Sequence, residues 1–445
     1  MGKVVKLEPA AKERRRPHSA TSAAAAKRAR ARAGTRGAAG RTGARGGGEK
    51  TALVLGGGGF TGGVYEIGAL RALDLLAPEG ALNSFDVYVG TSAGAFIASL
   101  CAGGITPEEM MKVVSGKGEG ERPFSEIGLR ELLRLDLGAL ARRGALLPLH
   151  VAMVARRLAS HRGQASMMDL LLGIAEILPA GIYSGAGIER YLHKVLGERD
   201  VEDDFRKCAR ELYIVATDLD TSERIVFGAE GFDDVPISKA ARASGALPMV
   251  YAPVKIGDRE LVDGGLLSTT NIDVAVNAGA KLIVVVNPIV PFVNDFSKPV
   301  RTAKGVRSLR VSDMGFPKVG YQAFKLLAHR GLHGLSGRWE ERYPGVDILL
   351  IEPEPNDELM FETSIMSFTS RLEITKHGFE SVARHLAAQQ DRYAEVFARH
   401  GLVISAERLS AAIAHFDEET GGAHGWRRLL ESTTSVLRQS SGAAG

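Results

Sequence analysis

Three glycine-rich stretches, each closing an apolar run, constrain this chain more than anything else in it: GGGGFTGG (56–63), GTSAG (90–94) and DGG (263–265). The middle one is the most telling. Phe85, Val87 and Val89 alternate with Asp86, Tyr88 and Gly90, which suits a strand, and the AGAFIASLCAGG that follows Ser92 is compact and apolar, which suits a buried helix. A serine at that junction, flanked by Gly90, Thr91, Ala93 and Gly94, fits the G-x-S-x-G nucleophile elbow. There a sharp strand-to-helix turn drives the hydroxyl out of the fold, and glycines two positions either side leave room for crowded backbone. Taken alone, five small residues in a chain with 53 glycines also read as a tight turn packing a helix onto a sheet.

The first glycine run has two readings. Gly57, Gly59 and Gly62 match G-x-G-x-x-G between a strand-like TALVL (51–55) and a helix-like VYEIGALRALDLLA (64–77), a dinucleotide-binding pattern. The acid that should follow some 20 residues on could only be Glu79, in the turn-like APEG rather than at a strand end. A phosphate-binding P-loop is excluded by the missing Gly-Lys-Ser/Thr. The other use is an oxyanion hole built from Gly57, Gly58, Gly59 and Gly62, whose amides can crowd towards one point beside a helix N-terminus. Gly57 precedes Ser92 by 35 residues, one β-α-β step, so both loops should emerge at one carboxyl edge of adjacent strands.

In LVDGGLLSTTNIDVA (261–275), Asp263 precedes Gly264 and Gly265 and can occupy a tight turn with its carboxylate exposed. By itself it is a turn aspartate. A reactive serine needs a proton acceptor, yet His329, His333, His377 and His385 lie in helix-like or basic segments, none in an evident loop after a core strand. A Ser–Asp–His order has no support in the pattern.

With these pieces in hand, the chain resembles the patatin-like phospholipase family. The resemblance rests on GGGGFTGGVYEIGAL, GTSAGAFIASL, ASGALPMVYAPVKIGDRELVDGG and NIDVA, in the family's order, and covers roughly residues 51–290. It implies an α/β fold with a Ser-Asp dyad: Ser92 as nucleophile, Asp263 as general base, and the 57–62 loop as oxyanion hole. It further implies hydrolysis of acyl esters of phospholipids, lysophospholipids or neutral lipids, with neither metal nor cofactor. Thr61 departs from the family, which often carries Arg or Lys there; a cation near the oxyanion or a substrate phosphate is lost. A non-catalytic lipid-binding protein retaining the fold is the alternative.

The remaining pattern fills in the architecture. Strands are expected at 212–220, 223–229, 281–287 and 347–353, separated mostly by helices. Runs such as IVVV belong to strands buried on both faces, hence a mainly parallel central sheet flanked by helices in three layers. Thr106, Pro107 and Glu109 mark a helix start, and Ser166 with Asp169 a second capping box. The expected organisation is a tail over 1–48, a catalytic core over 49–295 with a helical, lid-like insertion at 120–182, a further strand and helices over 296–400, and a helical extension over 401–445 that frays at its end. Helix is expected from about residue 363.

Charge is concentrated at the start. Residues 1–48 hold thirteen Lys and Arg against two Glu, a net +11, which leaves −7 for the rest of a chain whose total is +4. Rich in Ala, Gly and Arg, this stretch cannot bury enough apolar surface to fold and is expected to be disordered. It is either a passive tail or an electrostatic arm for anionic lipid, with nucleic acid as its other possible polyanion. No apolar h-region follows the basic residues, so no secretory signal is expected. No apolar run reaches the length of a membrane span. Cys101 and Cys208 show neither disulfide nor zinc spacing and are expected as buried reduced thiols. The expected setting is cytoplasmic, with peripheral contact at a membrane or droplet surface where the lipid substrate lies.

Overall fold

A computed structural model of the chain describes residues 49–76, 81–115, 124–125, 127–138, 179–297, 300–301, 307–308, 310–336 and 339–402, with scattered positions between 141 and 156. The basic tail, the Ser166–Asp169 capping box, most of the expected insertion and the end from 403 lie outside the described residues.

Eight strands form the central sheet: β1 (Thr51–Leu55), β2 (Val87–Thr91), β3 (Glu211–Asp218), β4 (Arg224–Phe227), β5 (Val254–Ile256), β6 (Arg259–Asp263), β7 (Leu282–Val286) and β8 (Asp347–Ile351). Their order is β8-β7-β1-β2-β3-β6-β5, with β4 also on β3. The first five in that order run parallel, each joined to the next in register. β5 and β6 form an antiparallel hairpin that the sequence pattern does not reveal.

The side chains of the parallel strands alternate between two cores. Leu53 and Leu55 of β1 face one, with Tyr88, Val284 and the helices that carry Ile67, Leu100 and Phe379. Ala52 and Val54 face the other, with Val87, Val89, Val285 and Leu332. A parallel sheet covered on both faces is the reason LIVVV, in β7, has no polar residue.

The helices used below are α1 (Gly59–Leu76), α2 (Ala93–Ala102), α3 (Pro107–Ser115), α4 (Ala186–Glu198), α5 (Ile237–Ser244), α6 (Ile272–Asn277), α7 (Phe316–Ser336) and α8 (Arg371–Ala388). α3 starts with the expected reciprocal cap: Thr106 N–H donates to Glu109 Oε2 at 2.9 Å, and Glu109 N–H to Thr106 Oγ1 at 3.2 Å. α1 begins within the glycine run, five residues earlier than apolar spacing suggests, because its first turn is held by backbone contacts rather than an apolar face. It packs on α8 at close range: a Cβ on Gly68 would fall 2.1 Å from the Thr375 carbonyl oxygen, and one on Gly378 2.5 Å from that of Tyr65. Residues 363–370 are not helical, contrary to expectation; they form an irregular strap before α8. Both cysteines are buried and unbridged. Among the described residues, no helix is long and apolar enough to cross a membrane.

Candidate active site

The edge of β3 brings the two candidate catalytic residues together. Along it β2 pairs as far as Thr91, opposite Val215, and β6 pairs from Asp263, opposite Ala216. β4 occupies residues 214–217 of the other edge, so β2 and β6 share this one and meet end to end. Ser92, one residue past β2, therefore faces Asp263, the last residue of β6. Ser92 Oγ donates to Asp263 Oδ2 at 2.6 Å.

Ser92 sits at φ 56° and ψ −122°, a backbone conformation that a side-chain-bearing residue adopts at a cost of about 1–3 kcal/mol. The surroundings force it. A Cβ on Gly90 would lie 2.4 Å from Cα of Ala95, and one on Gly94 2.4 Å from the carbonyl oxygens of Leu55 and Gly56. Gly94 N–H donates to Gly56 O at 3.0 Å, stitching the elbow to the first glycine loop. Ala93 opens α2 directly after the turn.

Two polar residues that the sequence reading did not single out hold this turn. Ser244, at the end of α5, accepts the Ser92 N–H at 2.8 Å and donates its own hydroxyl to Val215 O at 2.6 Å. Asn271 donates from Nδ2 to Thr91 Oγ1 at 2.9 Å and to Ser268 O at 2.8 Å, tying the segment after Asp263 to the elbow. Both lie in stretches on which the resemblance rests, ASGALP and NIDVA, and that was their signal.

Asp263 is buried, with 4% of its surface exposed. Its Oδ1 accepts Gly265 N–H at 2.8 Å, and its own N–H donates to Ala246 O at 3.0 Å. Gly264 is pressed against the β3 backbone, where a Cβ would fall 2.2 Å from Val215 O. Burial pushes the carboxyl pKa up to about 6, outweighing the hydrogen bonds from Ser92 and Gly265. Neither residue has a histidine partner among the described residues. His333, His377 and His400 pair instead with Glu352, Asp357 and Asp347.

The glycine loop lies against the serine, a Cβ on Gly57 falling 3.2 Å from Ser92 Cβ. The amides of the loop are not equivalent. Gly57 N–H reaches Thr269 O at 3.3 Å, and Gly62 N–H is committed to Gly58 O at 2.9 Å within the first turn of α1. Among the described residues, the amides of Gly58 and Gly59 have no acceptor.

Thr61 holds the strap. Its hydroxyl donates to Ser364 O at 2.6 Å and its amide to Ile365 O at 3.1 Å. Ile365 lies so close to Gly59 that a Cβ there would meet it at 2.4 Å. Phe60 and Phe368 add a ring contact at 5.3 Å.

Ser92 and Asp263 open into a cavity of about 150 Å³. Its apolar walls include Ile67 of α1, Phe96 and Leu100 of α2, Met110 and Val113 of α3 and Tyr191 of α4. From Ser92 to Leu100 it follows α2 for about 12 Å. Arg242, paired with Glu189 at 2.8 Å, is one of its few charged wall residues.

A sequence model of the family described as patatin-like phospholipase matches residues 53–276. The probable lipid hydrolase 463L of Invertebrate iridescent virus 6 is 22% identical over 230 residues, covering 50% of this chain and 62% of that protein. The uncharacterized protein YqhO of Bacillus subtilis (strain 168) is 26% identical over 219 residues, covering 46% of this chain and 62% of that protein. The chain thus spans 62% of the length of both curated relatives. Among solved structures it is similar to VipD from Legionella pneumophila, at 14% identity and a TM-score of 0.35 over 76% of this chain and 67% of that one. It is also similar to human GIVD cytosolic phospholipase A2, at 11% identity and a TM-score of 0.27 over 82% and 59%.

Proposed function

The chain belongs to the patatin-like phospholipase family, and from that premise we propose a serine acyl-ester hydrolase that releases fatty acid from phospholipid or other lipid esters. The observation that carries this reading is the 2.6 Å hydrogen bond from Ser92 to a buried carboxylate, both residues lining an apolar cavity.

As Ser92 Oγ attacks the ester carbonyl, its proton passes to Asp263 Oδ2. A carboxylate of ordinary pKa is a weak acceptor for an alcohol proton; one raised to about 6 is a stronger base yet remains ionised at neutral pH. The amides of Gly58 and Gly59, at the start of α1, receive the oxyanion, each such donor being worth about 3–4 kcal/mol. Gly57 and Gly62 serve by letting the backbone approach. Protonated Asp263 then gives its proton to the leaving alcohol, and water activated by the same carboxylate releases the acyl group from Ser92.

The acyl chain fits the cavity along α2, where each buried methylene contributes about 0.8 kcal/mol. Thr61 supplies no cation for a phosphate, which favours recognition of the acyl chain over the head group. The reaction belongs at a membrane or droplet surface, reached peripherally, with the basic 1–48 segment contacting anionic lipid.

The test is release of fatty acid from phosphatidylcholine and monoacylglycerol dispersions by wild type and Ser92→Ala. Release by wild type alone supports the reading. Vesicle binding without release by either protein favours the non-catalytic lipid-binding alternative.

A further inference from the structure

β8, β7, β1 and β2 are consecutive and parallel, so the residues that follow them meet along one edge of the sheet. Two of those ends carry the glycine loop and Ser92. The other two carry Glu352, next after β8, and Asn287, next after β7. Beside them α7 presents His329 and His333, four residues apart and so on one helix face.

These side chains converge. The imidazole rings stand 4.0 Å apart, and Nε2 of His333 lies 2.8 Å from Oε2 of Glu352. One donor atom from each of His329, His333 and Glu352 lies within 4.8 Å of the other two. The His333–Glu352 pair accounts for two members of the group but not the third: Nδ1 of His329 is buried and has no hydrogen-bond partner among the described residues.

We propose that His329, His333 and Glu352 bind one divalent first-row cation of the zinc class. Two imidazoles and a carboxylate are a donor set zinc accepts with three protein ligands, leaving a fourth position for water. Bonds of about 2 Å in a tetrahedron place donors roughly 3.3 Å apart, within reach of rotamer adjustment from the separations seen. The carboxylate is already oriented for it. Asn287 Nδ2 donates to Glu352 Oε1 at 2.6 Å, leaving Oε2 towards the histidines, the kind of outer hold that metal-ligating carboxylates receive. Asn287 also adjoins the glycine loop, since a Cβ on Gly56 would fall 3.1 Å from Asn287 Oδ1. The ion's role is therefore to pin α7 to the sheet edge beside that loop. It takes no part in the ester chemistry, so the site stands or falls independently of the Ser-Asp reading.

The test uses the full chain, stripped with a chelator and then titrated with Zn²⁺ by calorimetry and with Co²⁺ by visible absorption. One equivalent of Zn²⁺ is expected to bind and raise Tm, and Co²⁺ to develop visible bands displaced by Zn²⁺. His333→Gln should weaken Zn²⁺ binding at least a hundredfold, with circular dichroism of the metal-free protein as the check on folding. Asn287→Ala leaves all three ligands in place and should weaken binding about 10–100-fold. Failure of the stripped wild type to bind Zn²⁺ would overturn the proposal, as would wild-type affinity in both variants.

Discussion

Thr91 and Asp263 occupy consecutive rungs on one edge of β3, opposite Val215 and Ala216, although 171 residues separate Ser92 from its carboxylate partner. The geometry of the pair is thus set by hydrogen-bond register, which slips only in whole residues. Two strands running head-on along a third place a strained serine and a buried aspartate in contact with no flexible loop between them. In the proposed reaction this pre-positions the proton acceptor before substrate arrives.

The pH dependence follows from the Asp263 pKa. The base must be ionised, so kcat/KM for a soluble p-nitrophenyl ester should rise about tenfold per pH unit at low pH and level off above about pH 6. A profile flat from pH 4.5 to 8 in a folded enzyme would argue against a carboxylate base.

The same burial makes Asp263 costly to the fold. Its pKa is higher folded than unfolded, so the fold is relatively favoured below about pH 4, and that advantage is lost as pH rises through about 6. Asp263→Asn should therefore be more stable than wild type at pH 7–8, by up to roughly 3 kcal/mol, and nearly equal to it at pH 4. Thermal unfolding of both proteins at the two pH values measures this. An Asn variant less stable at pH 8 than at pH 4, relative to wild type, would contradict the assigned burial cost.

Ser244 holds the backbone of Ser92 through its N–H, and in the proposed reaction it would position the serine without touching substrate. Ser244→Ala strips the buried Ser92 N–H of its acceptor, at about 1–3 kcal/mol. We expect kcat to fall at least tenfold with KM little changed, and Ser244→Thr to recover part of the loss. Unchanged kcat in a folded Ala variant would mean that the elbow keeps its geometry without this bond.

Thr61 is predicted to fasten the strap. Thr61→Val keeps the shape and removes the donor to Ser364 O, so amide exchange over 363–370 should quicken by roughly fivefold, matching about 1 kcal/mol. Exchange confined to wild-type rates would show that Ile365 and Phe368 hold the strap by packing alone.

How much of this was legible in the sequence differs from part to part. The parallel strands were, because burial on two faces leaves runs such as LIVVV with no polar position. The tight strand-to-helix turn at Ser92 was, because Gly90 and Gly94 sit where added carbons would strike backbone. The hairpin carrying Asp263 was not: VKIGDRELVD alternates too briefly to separate from a loop, so its aspartate read as a turn residue. Ser244 and the strap were hidden for another reason. Their contacts span 152 and 303 residues, and no local pattern of small or polar side chains encodes a partner that distant. The start of α1 was missed because GGGGF lacks the apolar periodicity that betrays other helices.

The most direct test of the dyad is the rate at which a fluorophosphonate modifies wild type and a folded Asp263→Asn variant, with the modified residue identified by peptide mass. The account predicts one adduct per chain, on Ser92, formed at least a hundredfold more slowly in the variant. An adduct on another residue, or equal rates in the two proteins, would contradict it.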